Sequence, residues 1–144
     1  MIKIFEYFFK KEIPVLMYHR LINNKDEIGK NTIYLNVDEF EKQLEYLKDN
    51  NYITITFKDL YKIPKKERKK KKYIILTFDD GYKDNYNLLF PLLKKYNMKA
   101  VIYMVSDEKY NIWDVEASEE KRFDLISKNE MLEMYKSGLV EFGG

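Results

Sequence analysis

Cysteine is absent from the 144 residues, which excludes a disulfide framework and any thiolate metal site. Histidine occurs once, at position 19, so the chain holds a single imidazole. No stretch approaches the roughly 20 apolar residues that span a bilayer. An unbroken apolar core of about 7–15 residues followed by a small-residue cleavage site, the mark of a signal peptide, is also missing. By default this points to the cytoplasm or a membrane surface. An excess of one charge is lacking too: the net charge is +2, and no nucleic-acid footprint follows from it.

What the chain does have is enough length for one domain or less. A compact chain of this size buries roughly 70% of its unfolded surface. Residues 1–12 mix Ile2, Ile4, Phe5, Phe8 and Phe9 with charged residues, and read as an amphipathic lead-in covering one end of the fold. A membrane-surface role is the alternative for that segment.

The most informative stretch is Tyr73 to Tyr82, Tyr-Ile-Ile-Leu-Thr-Phe-Asp-Asp-Gly-Tyr. It begins as the short apolar run of a strand buried on both faces. It ends in two adjacent carboxylates, Asp79 and Asp80, followed by Gly81. Asp-Gly is a common turn dipeptide, but a hairpin needs a second strand within a few residues. Here a helical segment, Asp84 to Tyr96, follows instead. The acids therefore sit at the carboxyl end of a buried strand, where α/β folds place their chemistry.

Thr77-Phe78-Asp79-Asp80-Gly81 resembles the first motif of the polysaccharide deacetylases, the NodB-homology group or carbohydrate esterase family four. Ile13-Pro14-Val15-Leu16-Met17-Tyr18-His19-Arg20 resembles the opening strand of the branch with a Tyr-His-Arg signature. Phe40 to Tyr52, Pro91 to Tyr96 and Lys99 to Val105 are similar to that branch as well. The resemblance implies metal-assisted hydrolysis of N-acetyl groups on a sugar polymer, with zinc as the default divalent ion. It implies Asp79 as the base and Asp80 as a metal ligand. The family completes its metal site with a His-Ser/Thr-x-x-His motif after a strand resembling Leu139 to Gly144. These 144 residues stop where its first histidine is expected, and His19 is the only one they hold. Zinc sites use three or four protein ligands, so one carboxylate is a poor site, and little activity is expected from these residues alone.

Along the chain, Ile13 to Tyr18 reads as a first strand, apolar throughout and therefore buried. His19 ends it, so the imidazole and the acid pair both lie at strand ends. A lone histidine is more often structural; direct catalytic work is the sharper reading. Leu21 to Leu35 reads as a polar loop. Asn36 looks like a helix N-cap with Glu39 three residues on, and Phe40, Leu44 and Leu47 repeat at helical spacing. Tyr52 to Thr56 alternates as a second strand, and Phe57 to Lys62 fits one helical turn. The lysine-rich run from Lys65 to Lys72 reads as a solvated loop, with attraction to an anionic polymer the alternative. Pro91 is expected to bend the helix that contains it. Ala100 to Val105 is a further strand, and Ser106 to Asp124 a long loop in which Trp113 reads as a half-buried anchor, with sugar stacking the alternative. Ser127 and Glu130 form a capping box, and Met131, Leu132 and Tyr135 the inner face of its helix. Leu139 to Phe142 starts another strand.

This order implies an α/β fold with a largely parallel sheet. The resemblance sharpens it to an incomplete distorted (β/α) barrel over residues 13–144, since complete barrels run about 250 residues. Three functions stay open: the front part of a metal-dependent deacetylase acting on N-acetylated polysaccharide, one half of a split enzyme with a complementing chain, or a non-catalytic glycan-binding remnant.

Overall fold

A computed structural model describes residues 12–24, 33–105, 110–111 and 122–144. The lead-in before residue 12, most of the polar loop after Leu21, and Trp113 lie outside the described residues.

The architecture is α/β, and every strand pair among the described residues is parallel. Five strands, β1 (Val15–Tyr18), β4 (Tyr52–Thr54), β5 (Lys72–Phe78), β6 (Ala100–Tyr103) and β7 (Val140–Gly143), form the main sheet. Its order is β1-β5-β6-β7, with β4 paired to the first half of β5. A separate two-stranded sheet joins β2 (Arg20–Ile22) to β3 (Tyr34–Asn36). Among the described residues, four α-helices connect these strands: α1 (Val37–Asp49), α2 (Phe57–Lys62), α3 (Phe90–Tyr96) and α4 (Lys128–Lys136).

β5 is the centre because its composition demands it. Ile74 to Phe78 are all buried. Alternate side chains of a strand face opposite sides. Ile74, Leu76 and Phe78 enter the main core with Phe40 and Leu44 of α1 and Leu93 of α3, while Ile75 packs with Ile55 and Val101 on the other face. Main-chain bonds also alternate between edges: Ile75 N donates to Pro14 O and Ile55 N to Ile74 O. β1 therefore lies on one edge of β5, with β4 and then β6 on the other. At its carboxyl end, Phe78 stacks on Tyr18 (5.1 Å) and meets Phe40 edge-on (5.5 Å). The Tyr18 hydroxyl donates to Gln43 Oε1 at 2.7 Å, and burial pushes its pKa up to about 12.

Several expectations needed correction. β1 is apolar but not buried: Val15, Leu16 and Met17 are 46%, 37% and 65% exposed. Among the described residues of the main sheet it pairs with β5 alone, so apolar composition did not decide its burial. The segment expected to be a loop from Leu21 to Leu35 contains the last two residues of β2 and the first two of β3; at three residues each, these strands are too short to show a period. Leu21 and Ile22 are buried there. In α4 Met131 packs against the core as expected and Met134 is wholly buried beside it, whereas Leu132 and Tyr135 are exposed at 49% and 56%. Over nine residues a modest rotation moves the apolar stripe. Pro91 does not simply bend one helix. A π-helical turn over Asn85–Leu89 runs into α3, and Phe90 N donates to Asn85 O five residues back. The proline thereby falls in the first turn of α3, where its missing N–H costs little.

The caps follow their chemistry. Asn36 accepts from Asp38 N instead of completing a box with Glu39. Full capping boxes form at Ser127/Glu130, as expected, and also at Thr56/Asp59. In the basic run, Lys65, Lys66 and Lys69 to Lys72 are exposed, but Arg68 folds back onto Ile63 O and Leu60 O at the end of α2.

Phe78→Ala should destabilise the chain by about 3–5 kcal/mol, because it leaves a cavity against Tyr18 and Phe40. Urea unfolding followed by circular dichroism measures it, and a loss below about 1 kcal/mol contradicts the central role given to this cluster.

Candidate active site

The register of β1 on β5 places Tyr18 beside Phe78, so both strands end at the same level. Asp79 N still donates to Tyr18 O at 2.9 Å, continuing the ladder one residue past β5. The chain then turns sharply. Asp80 and Gly81 both have positive φ, 74° and 61°. Aspartate is among the few non-glycine residues that tolerate this conformation. Gly81 is held to its identity twice over: a Cβ there would lie 2.6 Å from Met104 Sδ, and the backbone is left-handed. Two further main-chain bonds pin the turn, from Ile126 N to Gly81 O (2.9 Å) and from Lys83 N to Asp124 O (2.8 Å).

The alternation of β5 carries Ile75, Thr77 and Asp79 onto one face. That face opens into a cavity of about 470 Å³ lined by Val15, Met17, Phe57, Thr77, Asp79, Asp80, Tyr103, Met104 and Val105. The lining is mostly apolar, and the two carboxylates lie at one end of it. His19 Nε2 stands 3.9 Å from Asp80 Oδ2, with both side chains half-buried. The three residues singled out in the sequence, His19, Asp79 and Asp80, thus come together at one end of the sheet.

Behind them lies a polar network that the sequence did not disclose. Arg20 is 6% exposed. Its Nε donates to Asp84 Oδ2 at 2.9 Å, and its guanidinium lies 3.5 Å from the ring centre of Phe123. Asp84 Oδ1 accepts from Leu21 N at 3.1 Å and from Asn85 Nδ2 at 3.0 Å. Asn85, fully buried, also donates from Nδ2 to His19 O at 2.9 Å. Asn111, equally buried, reaches Asp80 O at 3.4 Å. One signal was available: a charge following an apolar strand must find a partner if it is buried, and Asp84 is an acid near a strand end.

Burial pushes the Asp84 carboxyl up to about 6, against the opposing pull of Arg20 and the Leu21 N–H. Between the ordinary carboxylate value near 4 and this raised value, the folded protein binds a proton that the unfolded chain lacks.

A metal site can be tested on the donors present. Among the described residues no group of three histidine, cysteine, aspartate or glutamate side chains is arranged to hold an ion. Asp80 and His19 alone fall short of the three protein ligands that zinc takes, so these residues do not fit a metal site by themselves.

A sequence model of the polysaccharide deacetylase family matches residues 66–144. The Bacillus subtilis (strain 168) protein YxkH, whose name places it among the polysaccharide deacetylases, is 39% identical over 95 residues, covering 65% of this chain and 32% of that protein. A poly-β-1,6-N-acetyl-D-glucosamine N-deacetylase of Staphylococcus aureus is 33% identical over 104 residues, covering 72% of this chain and 34% of the enzyme. The crystal structure of BC0361, a polysaccharide deacetylase from Bacillus cereus, superposes with a TM-score of 0.69 at 30% identity, covering 92% of this chain and 38% of that one. The chain belongs to the polysaccharide deacetylase family. It spans about a third of the length of the curated relatives it matches. Partial coverage of the solved structures agrees with an incomplete barrel.

Two predictions follow from the turn and its support. Gly81→Ala should cost about 1–2 kcal/mol from backbone strain, with Met104 displaced, as read by thermal unfolding. Relative to Asp84→Asn, the wild-type chain should lose stability as pH rises from about 4 to about 6, by up to about 3 kcal/mol. Urea midpoints across that range measure the difference; a parallel pair of curves contradicts it.

Proposed function

We propose that this chain carries the acid-bearing front part of a hydrolase that removes N-acetyl groups from a polysaccharide, and that the 144 residues do not turn over alone. The observation that carries the reading is the pairing of Asp79 and Asp80 at the carboxyl end of β5, turned by Gly81 into the open cavity. In support, the matched Staphylococcus aureus relative is named as an N-deacetylase of poly-β-1,6-N-acetyl-D-glucosamine. An N-acetylated sugar polymer is the substrate class that follows.

In the reaction, water adds to the acetamide carbonyl carbon, the carbon–nitrogen bond breaks, and acetate and a free amine leave. Asp79 is the base that takes the proton of the attacking water. Its place, one residue past the strand, is fixed by the bond to Tyr18 O. His19 is the further catalytic candidate at the same level, the only imidazole of the chain. Asp80 is a ligand for a divalent ion, zinc by default, only when further donors join it. Further polypeptide or a complementing chain would have to supply those donors, and no step is assigned to an ion on Asp80 alone.

The first test is the transcript beyond codon 144. An in-frame His-Ser/Thr-x-x-His segment puts the remaining donors in the same polypeptide; a stop codon directs the search to a complementing chain. Purified residues 1–144 should release no acetate from N-acetylated β-1,6-linked glucosamine oligomers. The protein completed with that segment and the further hundred or so residues of a near-complete barrel should release it, and Asp79→Asn should lower the rate by about 100-fold or more. Acetate release by the 144 residues alone, or full activity of the completed Asp79→Asn protein, overturns the reading.

A further inference from the structure

We infer that Asp84, Asn85 and Arg20 are positioning residues that hold His19 against Asp80, so that the imidazole and the carboxylate are set by the polypeptide before any ligand arrives. This rests on the reading of Asp80 and His19 as members of one site. The argument is geometric.

Three consecutive residues after β1 are each gripped from the turn that follows the acid pair. His19 O accepts from Asn85 Nδ2 (2.9 Å), Arg20 Nε donates to Asp84 Oδ2 (2.9 Å), and Leu21 N donates to Asp84 Oδ1 (3.1 Å). The Asn85–Asp84 bond of 3.0 Å fixes the two gripping side chains to each other. Asn85 begins the π-helical turn, whose wider winding follows directly on Asp84. The guanidinium is clamped over Phe123 at 3.5 Å, with the Tyr82 ring centre at 5.3 Å, so it cannot swing away without losing its stacking.

The opposite side of the site is tied down as well. Asp80 has a positive φ, and its carbonyl accepts from buried Asn111 at 3.4 Å. Asp84 lies four residues after Asp80 and fastens the main chain two residues after His19. The clamp therefore fixes both backbones that carry the imidazole and the carboxylate. Neither Asp84 nor Asn85 lines the cavity, so neither is assigned contact with substrate. A buried charged pair and a buried amide are expensive to desolvate, and apolar residues of similar volume often pack as stably. What the polar clamp supplies is a fixed relation between two loops.

The single histidine makes this measurable, because its Hε1 proton gives one assignable resonance. In the 144-residue chain at fixed pH, Asp80→Asn should move that resonance, reporting the neighbouring carboxylate. In an Asn85→Leu background, which removes the donor to His19 O while keeping the volume, the Asp80→Asn displacement should shrink by about half or more. Arg20→Lys keeps the charge but not the planar fork, and should shrink it as well; this second variant serves if Asn85→Leu fails to fold. Circular dichroism verifies folding of each protein. A displacement unchanged in the folded variants overturns the clamp and leaves only a stabilising role for these residues. The outcome is independent of acetate release: coupling without turnover in the completed protein refutes the deacetylase reading and keeps the clamp, while turnover without coupling does the reverse.

Discussion

The parallel pairing of β1 with β5 governs everything at the functional end of this molecule. Residues 15–18 run beside 75–78 in a single register. Because side chains alternate along a strand, a slip of one residue would turn Thr77 and Asp79 away from the cavity and drive them toward the helices. That slip would also drive Leu76 and Phe78 out of the main core. The register is thus enforced by apolar burial on one face and expressed as chemistry on the other. Tyr18, Phe40 and Phe78 lock it at the level just below the acids.

The strongest physical patterns were legible in the chain itself. A run such as Ile74 to Phe78 has few places to go except the middle of a sheet, and an acid pair after it must face outward at the strand end. The stripe Phe40, Leu44, Leu47 fixed the buried face of α1, and Ser127 with Glu130 marked the start of α4. Local chemistry of this kind acts within a turn or two of helix, and sequence displays it directly. The family resemblance added the roles expected of the acid pair and the expected barrel.

The rest depended on contacts made across the fold. Whether β1 is buried depends on what packs over Val15 and Met17, which composition does not encode. Asp84, Tyr82 and Phe123 meet Arg20, and none of them is near it in sequence. Strands of three residues, as in β2 and β3, carry too few positions for alternation to register. The inner face of α4 came out rotated because a nine-residue helix samples each side only two or three times. Pro91 was read as a defect inside a helix, whereas the π-helical turn converts it into a favourable first-turn residue.

The bonds that tie the end of β1 to the turn after β5 bridge 63, 64 and 66 residues. Closing a flexible loop of that length costs about 4 kcal/mol of chain entropy before any contact repays it. During synthesis, the end of β1 must wait for β5 and the following turn to emerge before it has anything to grip. Contacts of such long sequence separation also slow folding compared with local helical ones. His19 and Asp80 are therefore late acquaintances: this end of the molecule is assembled after its helices have the means to form, and a nascent chain stopped before residue 84 holds the acids without the frame that aligns them.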